Sequence, residues 1–241
     1  SVHPFTTNLH NKDVRITTAY YENNLESAMF STIHEGGHAL YEMHVSDTFT
    51  GTPASYISMG MHESQSRLFE NNLGRRETFW KPLFPQLQEI FPEQLKDVTL
   101  EKFVRAINKS TPNLIRTEAD ELTYCLHIMV RYEMEKLIFS KDDVDVFIIP
   151  ELWNDKYEEY LGVRPETDSE GILQDIHWSI GSLGYFPSYA IGTAIAAQIY
   201  AHLQKVMPLN DYLAAGNFQP INDYLQEHLH KYAGSKTTKE L

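Results

Sequence analysis

The residues best placed to do chemistry are His34-Glu35-Gly36-Gly37-His38. On a helix, residues four apart stand one turn above each other on one face, so two imidazoles converge on one metal ion. Glu35 is turned about 100° from His34, beside the metal rather than on it. There it can take a proton from water whose pKa the cation lowers to about 7. His–Glu–x–x–His is thus a layout for activating water. A catalytic zinc needs a third protein ligand and an open position. Downstream, His44, His62 and Glu63 are the candidates. His44 falls on the face opposite His38 and is read as an ordinary surface or interface histidine. His62 and Glu63 are adjacent, about 100° apart on a helix, so one of them faces the metal and spacing does not choose.

The elements that must position these groups are mostly helical by pattern. Leu25, Met29, Ile33, Gly37 and Leu40 recur at three- and four-residue steps, which predicts a helix from about Asn23 to Met43. A second is expected from Met61 to Leu73, capped by Gly74. Phe49 to Met61 reads as a loop, with a short strand at Tyr56-Ile57-Ser58. Pro82, Pro85 and Pro92 break the next segment into short helices, followed by Leu100 to Ile107. A long helix is expected from Pro112 to Phe139, with Leu122 on its apolar face. Another is expected over Val144 to Leu161, with Pro150 at a break or first turn. Gly181 to Pro187 reads as a bend before a helix from Tyr189 to Val206, and two weaker helices finish the chain. Residues 1–20 differ: Val14-Arg15-Ile16-Thr17-Thr18 is β-branched and follows a turn-prone Asn11-Lys12-Asp13, so a short strand or hairpin is expected. The fold class is therefore all-α with a small β hairpin near the N-terminus, as a single domain over 1–241.

Composition narrows the function. The 241 residues are 42% hydrophobic and 22% charged, ordinary globular usage. Twenty Lys+Arg against 33 Asp+Glu leave −13, and no basic patch offsets it, so nucleic acid is not an expected partner. The longest apolar stretch, Tyr189 to Leu203, is interrupted and too short to span a bilayer. The N-terminus carries no signal-peptide pattern, and the single Cys125 fits a reducing compartment, so a soluble, cytoplasmic protein is expected. The acidic run 141–145 lacks the turn glycine and distal glutamate of a calcium loop and is read as a solvated helix start.

Several motifs stand in a fixed order. His34-Glu35-x-x-His38 is followed by His62-Glu63-Ser64-Gln65, Ile115-Arg116-x-x-Ala119-Asp120 and Gly171-x-x-Gln174-Asp175-x-His177-Trp178. Together they resemble the carboxypeptidase Taq family of zinc metallocarboxypeptidases. The upstream His3-Pro4-Phe5 and Asp13-x-Arg15-x-Thr17 match as well, and Gly184-Tyr185-Phe186-Pro187-Ser188-Tyr189 extends the likeness. The resemblance implies zinc held by His34, His38 and Glu63, with Glu35 as general base; cobalt suits the same ligands. It also implies a peptide substrate with a free C-terminus, and a homodimer. Members are about twice this length, so the chain is expected to be the C-terminal catalytic half, lacking one wall of a deep groove.

Substrate contacts follow from what the reaction needs. A guanidinium fork reads a terminal carboxylate bidentately, which favours Arg116, with Arg15 and Arg164 behind it. The Asp13-Arg15-Thr17 segment resembles the family's loop at the closed end of the groove, which would favour removing one terminal residue. His177, Tyr185 and Tyr189 are candidate donors to the developing oxyanion or to substrate; packed core tyrosines are the plain alternative. Asp120, Gln174 and Asp175 serve either as partners of the ligating imidazoles or as a buried polar network. The rivals to a metallocarboxypeptidase are an endo-acting oligopeptidase on the same scaffold and a non-catalytic helical fragment that binds zinc or a partner.

Overall fold

Asn24 begins the first helix by accepting a hydrogen bond from Ser27 N at 3.0 Å, as an asparagine at an N-cap does. In the computed structural model, which describes residues 4–140 and 143–241, this helix (α1) runs Leu25–His44. Ahead of it lie strands β1 (Phe5–His10) and β2 (Asp13–Thr17), paired antiparallel with Phe5 opposite Thr17 and Thr7 opposite Arg15. The expected hairpin is present, and these are the only strands among the described residues. Asn11, in the hairpin turn, donates to Val45 O at 2.9 Å and so ties the turn to the end of α1. His3 of the first motif, and Lys141 and Asp142 of the acidic run, lie outside the described residues.

The chain divides into two compact units, Ser1–Ile107 with Ile191–Leu241, and Asn108–Ala190. In the first, helix α2 (Met59–Arg67) starts two residues before the expected Met61, because Ser58 accepts from Met61 N. It passes into a wide π-helical turn over Leu68–Leu73. Gly74 ends that turn, but not in the left-handed geometry of a C-cap glycine. Its φ is −67°, and its N–H reaches back five residues to Phe69 O at 2.8 Å. A Cβ there would sit 2.7 Å from the carbonyl oxygens of both Phe69 and Glu70, so the wide turn itself requires glycine. Tyr56-Ile57-Ser58 is not a strand; it follows a 3-10 turn at Pro53–Ser55.

Short helices follow: α3 (Glu77–Trp80), α4 (Phe84–Ile90), α5 (Pro92–Leu95) and α6 (Leu100–Ile107). Proline in the first turn of α4 and α5 sits where no backbone N–H is missed. Phe30, Leu68, Leu73, Trp80 and Phe103 form the main core of this unit with Leu203 and Leu213.

In the second unit the long helix is shorter than its periodicity suggests. Helix α7 covers Tyr124–Phe139, preceded by a 3-10 turn at Arg116–Glu118 rather than a helix from Pro112. Asp120 explains the difference. Its carboxylate accepts from Thr111 N, Leu122 N, Thr123 N and the Thr123 hydroxyl, offering the backbone a competitor to the helical ladder. Leu122, expected on an apolar helix face, is exposed. Helix α8 (Ile149–Leu161) carries Pro150 in its first turn and ends on Gly162 at φ 67°. Val130, Met134, Trp153 and Tyr157 form this unit's main core. Gly181 and Gly184, both at positive φ, make the bend before α9 (Pro187–Val206). Helices α10 (Leu209–Ala214) and α11 (Gln219–His228) complete the chain. Among the described residues no helix is long and apolar enough to cross a membrane.

Candidate metal centre

Helix α1 delivers His34 and His38 one turn apart, with ring centroids 5.0 Å from each other. Helix α2 crosses α1 at Gly37, so closely that a Cβ there would meet Gln65 O at 2.6 Å and Ser66 Cα at 2.7 Å. That crossing brings Glu63 to the imidazoles. Its Oε2 stands 3.8 Å from His34 Nε2 and 3.4 Å from His38 Nε2. One ligand atom from each of the three residues lies within 4.8 Å of the others. Glu63 is held from behind by α9, where a Cβ on Gly192 would meet Glu63 Cβ and Cγ at 2.7 Å. Glu63 Oε1 is buried and has no hydrogen-bond partner. A buried carboxylate oxygen without a donor is costly unless a cation satisfies it. Two imidazole nitrogens and one carboxylate are a donor set that suits zinc, so the residues present fit the ion.

Charge at the site favours a cation. Burial works against a charged His34, yet Glu63, Glu70 and Glu35 outweigh it and push the imidazole up to about 9. His38 is pushed down, chiefly by burial. Burial alone would raise the carboxyl of Glu63, but His34, His38 and Arg67 hold it below the ordinary range. Glu70, carried by the π turn, takes His34 Nδ1 at 2.8 Å and Arg67 Nη1 at 3.0 Å. It is held near 2: burial opposes the charge, and Arg67 and His34 overcome that. His38 Nδ1 lies 2.6 Å from His62 Nδ1, and His62 Nε2 lies 2.7 Å from Glu42 Oε1. The second nitrogens of both imidazoles therefore go to Glu70 and His62, not to Asp120, Gln174 or Asp175. Glu35 is 6% exposed, and its Oε2 accepts from the Thr6 hydroxyl at 2.6 Å.

Arg15, on β2, is exposed and meets Asp13 through Nε at 2.8 Å and Nη2 at 2.9 Å. Arg116 lies in the second unit and is 3% exposed. Its Nε and Nη2 both donate to Asp175 Oδ1, at 3.0 and 2.8 Å, and its Nη1 donates to the Tyr124 hydroxyl at 3.0 Å. Arg131 Nε takes the other oxygen of Asp175 at 2.6 Å. Gln174 accepts from Arg116 N and donates to Leu114 O. Asp120, Gln174 and Asp175 thus join hydrogen-bonded networks within this unit. The same unit gathers three of the aromatic candidates. His177 Nε2 is 3.0 Å from the Tyr189 hydroxyl, and the Tyr185 ring is 5.4 Å from both His177 and Tyr189. Arg164 is engaged by Glu151, Asp155 and Glu158.

The Carboxypeptidase Taq (M32) metallopeptidase family matches the chain over residues 1–241. The chain belongs to this family. It is similar to Carboxypeptidase 1 of Bacillus subtilis (strain 168), with 51% identity over 238 residues, 98% of this chain and 47% of that protein. Thermostable carboxypeptidase 1 of Pyrococcus furiosus is 44% identical over 243 residues, 100% of this chain and 48% of that one. Among solved structures, that of Pyrococcus furiosus Carboxypeptidase Apo-Mg superposes with a TM-score of 0.94 at 43% identity, covering 100% of this chain and 48% of its own. Trypanosoma cruzi Metallocarboxypeptidase 1 gives 0.92 at 37%, covering 100% and 50%. The chain spans about half the length of the relatives it matches.

For this M32 chain, sequence spacing pointed to both imidazoles and Glu35 but missed Thr6, Glu42 and Glu70. Glu42 had a visible signal, since it continues the four-residue step His34, His38, Glu42 along one helix face. Glu70 and Thr6 had none, because a π turn and a strand register bring them in.

Proposed function

We propose that this chain is the catalytic region of a zinc metallocarboxypeptidase that removes C-terminal amino acids from peptides. One observation carries the reading: His34, His38 and Glu63 converge, and the buried Glu63 Oε1 has no hydrogen-bond partner. A divalent cation in such a set supplies Lewis acidity, acidifying water and drawing charge from a carbonyl oxygen; cobalt suits the same donors. Glu35 takes the proton from the attacking water and returns it to the leaving amine. The Thr6 hydroxyl fixes its Oε2, and we assign the proton to Oε1.

Of the arginines, Arg15 suits a substrate carboxylate better than Arg116. An exposed ion pair is weak and exchanges readily, so Arg15 can leave Asp13 for a ligand. Arg116 has its fork committed to Asp175 and Tyr124, so serving a substrate would require it to share donors. The roles of His177 and Tyr185 as oxyanion donors and of Tyr189 as a substrate contact are proposed from the motifs that carry them.

Glu35→Gln tests the reading. The variant should keep the metal and lose roughly 10²–10⁴-fold in peptide hydrolysis, the usual worth of a general base. Retained hydrolysis would remove Glu35 from the role. A peptide acid should be cleaved and its C-terminal amide resisted; equal cleavage of both would point to an endo-acting enzyme.

A further inference from the structure

We propose that Glu42 and His62 form a relay that presets His38 as a metal ligand, with the exposed strand β1 holding the far end. The inference rests on His34, His38 and Glu63 being the ligands. It follows from four atoms in line. A carboxylate only accepts, so the 2.7 Å contact to Glu42 Oε1 places a proton on His62 Nε2. We assign His62 that single proton, so its Nδ1 is the acceptor. The 2.6 Å contact between the two Nδ1 atoms then requires His38 to donate. His38 is left with its lone pair on Nε2, the nitrogen that faces Glu63. The reverse assignment sets a bare His62 Nε2 against the Glu42 carboxylate, lone pair to lone pair, and puts the His38 proton where the ion must bind.

The two ligating imidazoles thus receive the same service by different routes. His34 meets its carboxylate, Glu70, directly. His38 meets Glu42 through an intervening ring, because both stand on α1 one turn apart and His62 of α2 bridges them. Both relay side chains are largely covered, 14% exposed for His62 and 17% for Glu42. Asn8 of β1 donates to the other Glu42 oxygen at 2.7 Å, which turns the carboxylate toward His62. His62 and Glu42 are positioning residues; neither touches substrate or the ion.

The test measures Zn2+ affinity of the purified chain by competition with a chromophoric chelator, at fixed neutral pH. His62→Leu removes both the acceptor for His38 and the donor to Glu42, and should weaken Zn2+ binding roughly 10–100-fold, the usual cost of losing such a partner. His62→Gln, whose amide accepts on one side and donates on the other, should recover most of the loss. In the zinc-loaded parent, the His38 Nδ1 proton should appear downfield and exchange slowly in 15N-edited spectra, and His62→Leu should abolish that signature. A residue that only fills space would not distinguish Leu from Gln. If the parent binds Zn2+ one to one and His62→Leu binds within twofold of it, the relay is wrong while the metal site stands. If the parent binds no Zn2+, the ligand assignment falls and the relay with it. Should His62→Leu fail to fold, Glu42→Gln removes the charge at the far end, and unchanged affinity there overturns the relay equally.

Discussion

Thr6 of β1 donates its hydroxyl to Glu35 Oε2 at 2.6 Å, while the same strand's Asn8, two residues on and so on the same face, donates to Glu42 at 2.7 Å. The hairpin therefore grips helix α1 at two carboxylates. Thr6→Val keeps the shape and deletes the donor. It should leave Zn2+ binding unchanged and lower kcat by roughly tenfold, in line with a lost hydrogen bond to a charged group of about 1.5–3 kcal/mol, partly replaced by water. Steady-state kinetics with a metal assay check it; an unchanged kcat would mean that Glu35 is aimed by something else.

The paired glycines of the motif should answer oppositely to alanine. Nothing lies within 4 Å of a Cβ built on Gly36, so Gly36→Ala should stabilise the helix by about 0.5–1 kcal/mol. Gly37→Ala drives a methyl into the backbone of α2 at Gln65 and Ser66, so α2 must move and Glu63 with it. A loss of about 1–3 kcal/mol is expected, with weakened metal binding. Denaturant melts of the two variants decide it; equal responses would contradict the close crossing.

Arg15 and Arg116 should separate in the same way. Arg116→Ala leaves Arg131 as the one arginine paired with the buried Asp175 and should cost about 3–5 kcal/mol. Arg15→Ala should leave the unfolding midpoint unchanged and raise KM for peptides with a free C-terminus. If Arg15→Ala left KM unchanged, the carboxylate reader would have to be sought elsewhere.

Acid should unfold the second unit in two windows. His127 is buried against Tyr157 and is held neutral down to about 3, by burial first and by Arg131 and Arg116 next. Its folded value lies below its unfolded one near 6.5, so unfolding takes up a proton and stability falls as pH drops from about 6.5 toward 3. Asp175 is held near 2 although burial opposes its charge, because Arg131 and Arg116 flank it. Its share, on the order of 2 kcal/mol, is complete above about pH 4 and is lost as pH falls through about 2. Urea unfolding against pH checks both. His127→Gln should flatten the upper window only, and an unaltered slope there would contradict the assignment.

The parts of this protein that local pattern governs could be read before the structure. Helix α6 has the bounds its periodicity gives, α1 differs by a residue or two, and Pro150 sits in a first turn. The His34–His38 pair follows from helical pitch alone. What eluded the sequence depends on contacts between distant residues. Asp120 draws the backbone of 111–123 away from helix, and the π turn that carries Glu70 has no periodic signature. That Glu63 rather than His62 groups with His34 and His38 depends on the close crossing of α2 at Gly37. The commitment of Arg116 to Asp175, 59 residues later, is invisible to spacing.

Crystals soaked in Zn2+ and measured on either side of the zinc absorption edge test the centre most directly. The account predicts one strong anomalous peak bonded to His34 Nε2, His38 Nε2 and a Glu63 carboxylate oxygen, with Glu35 beside it. A peak elsewhere, or a fully ordered site with Glu63 turned away from the ion, would contradict it.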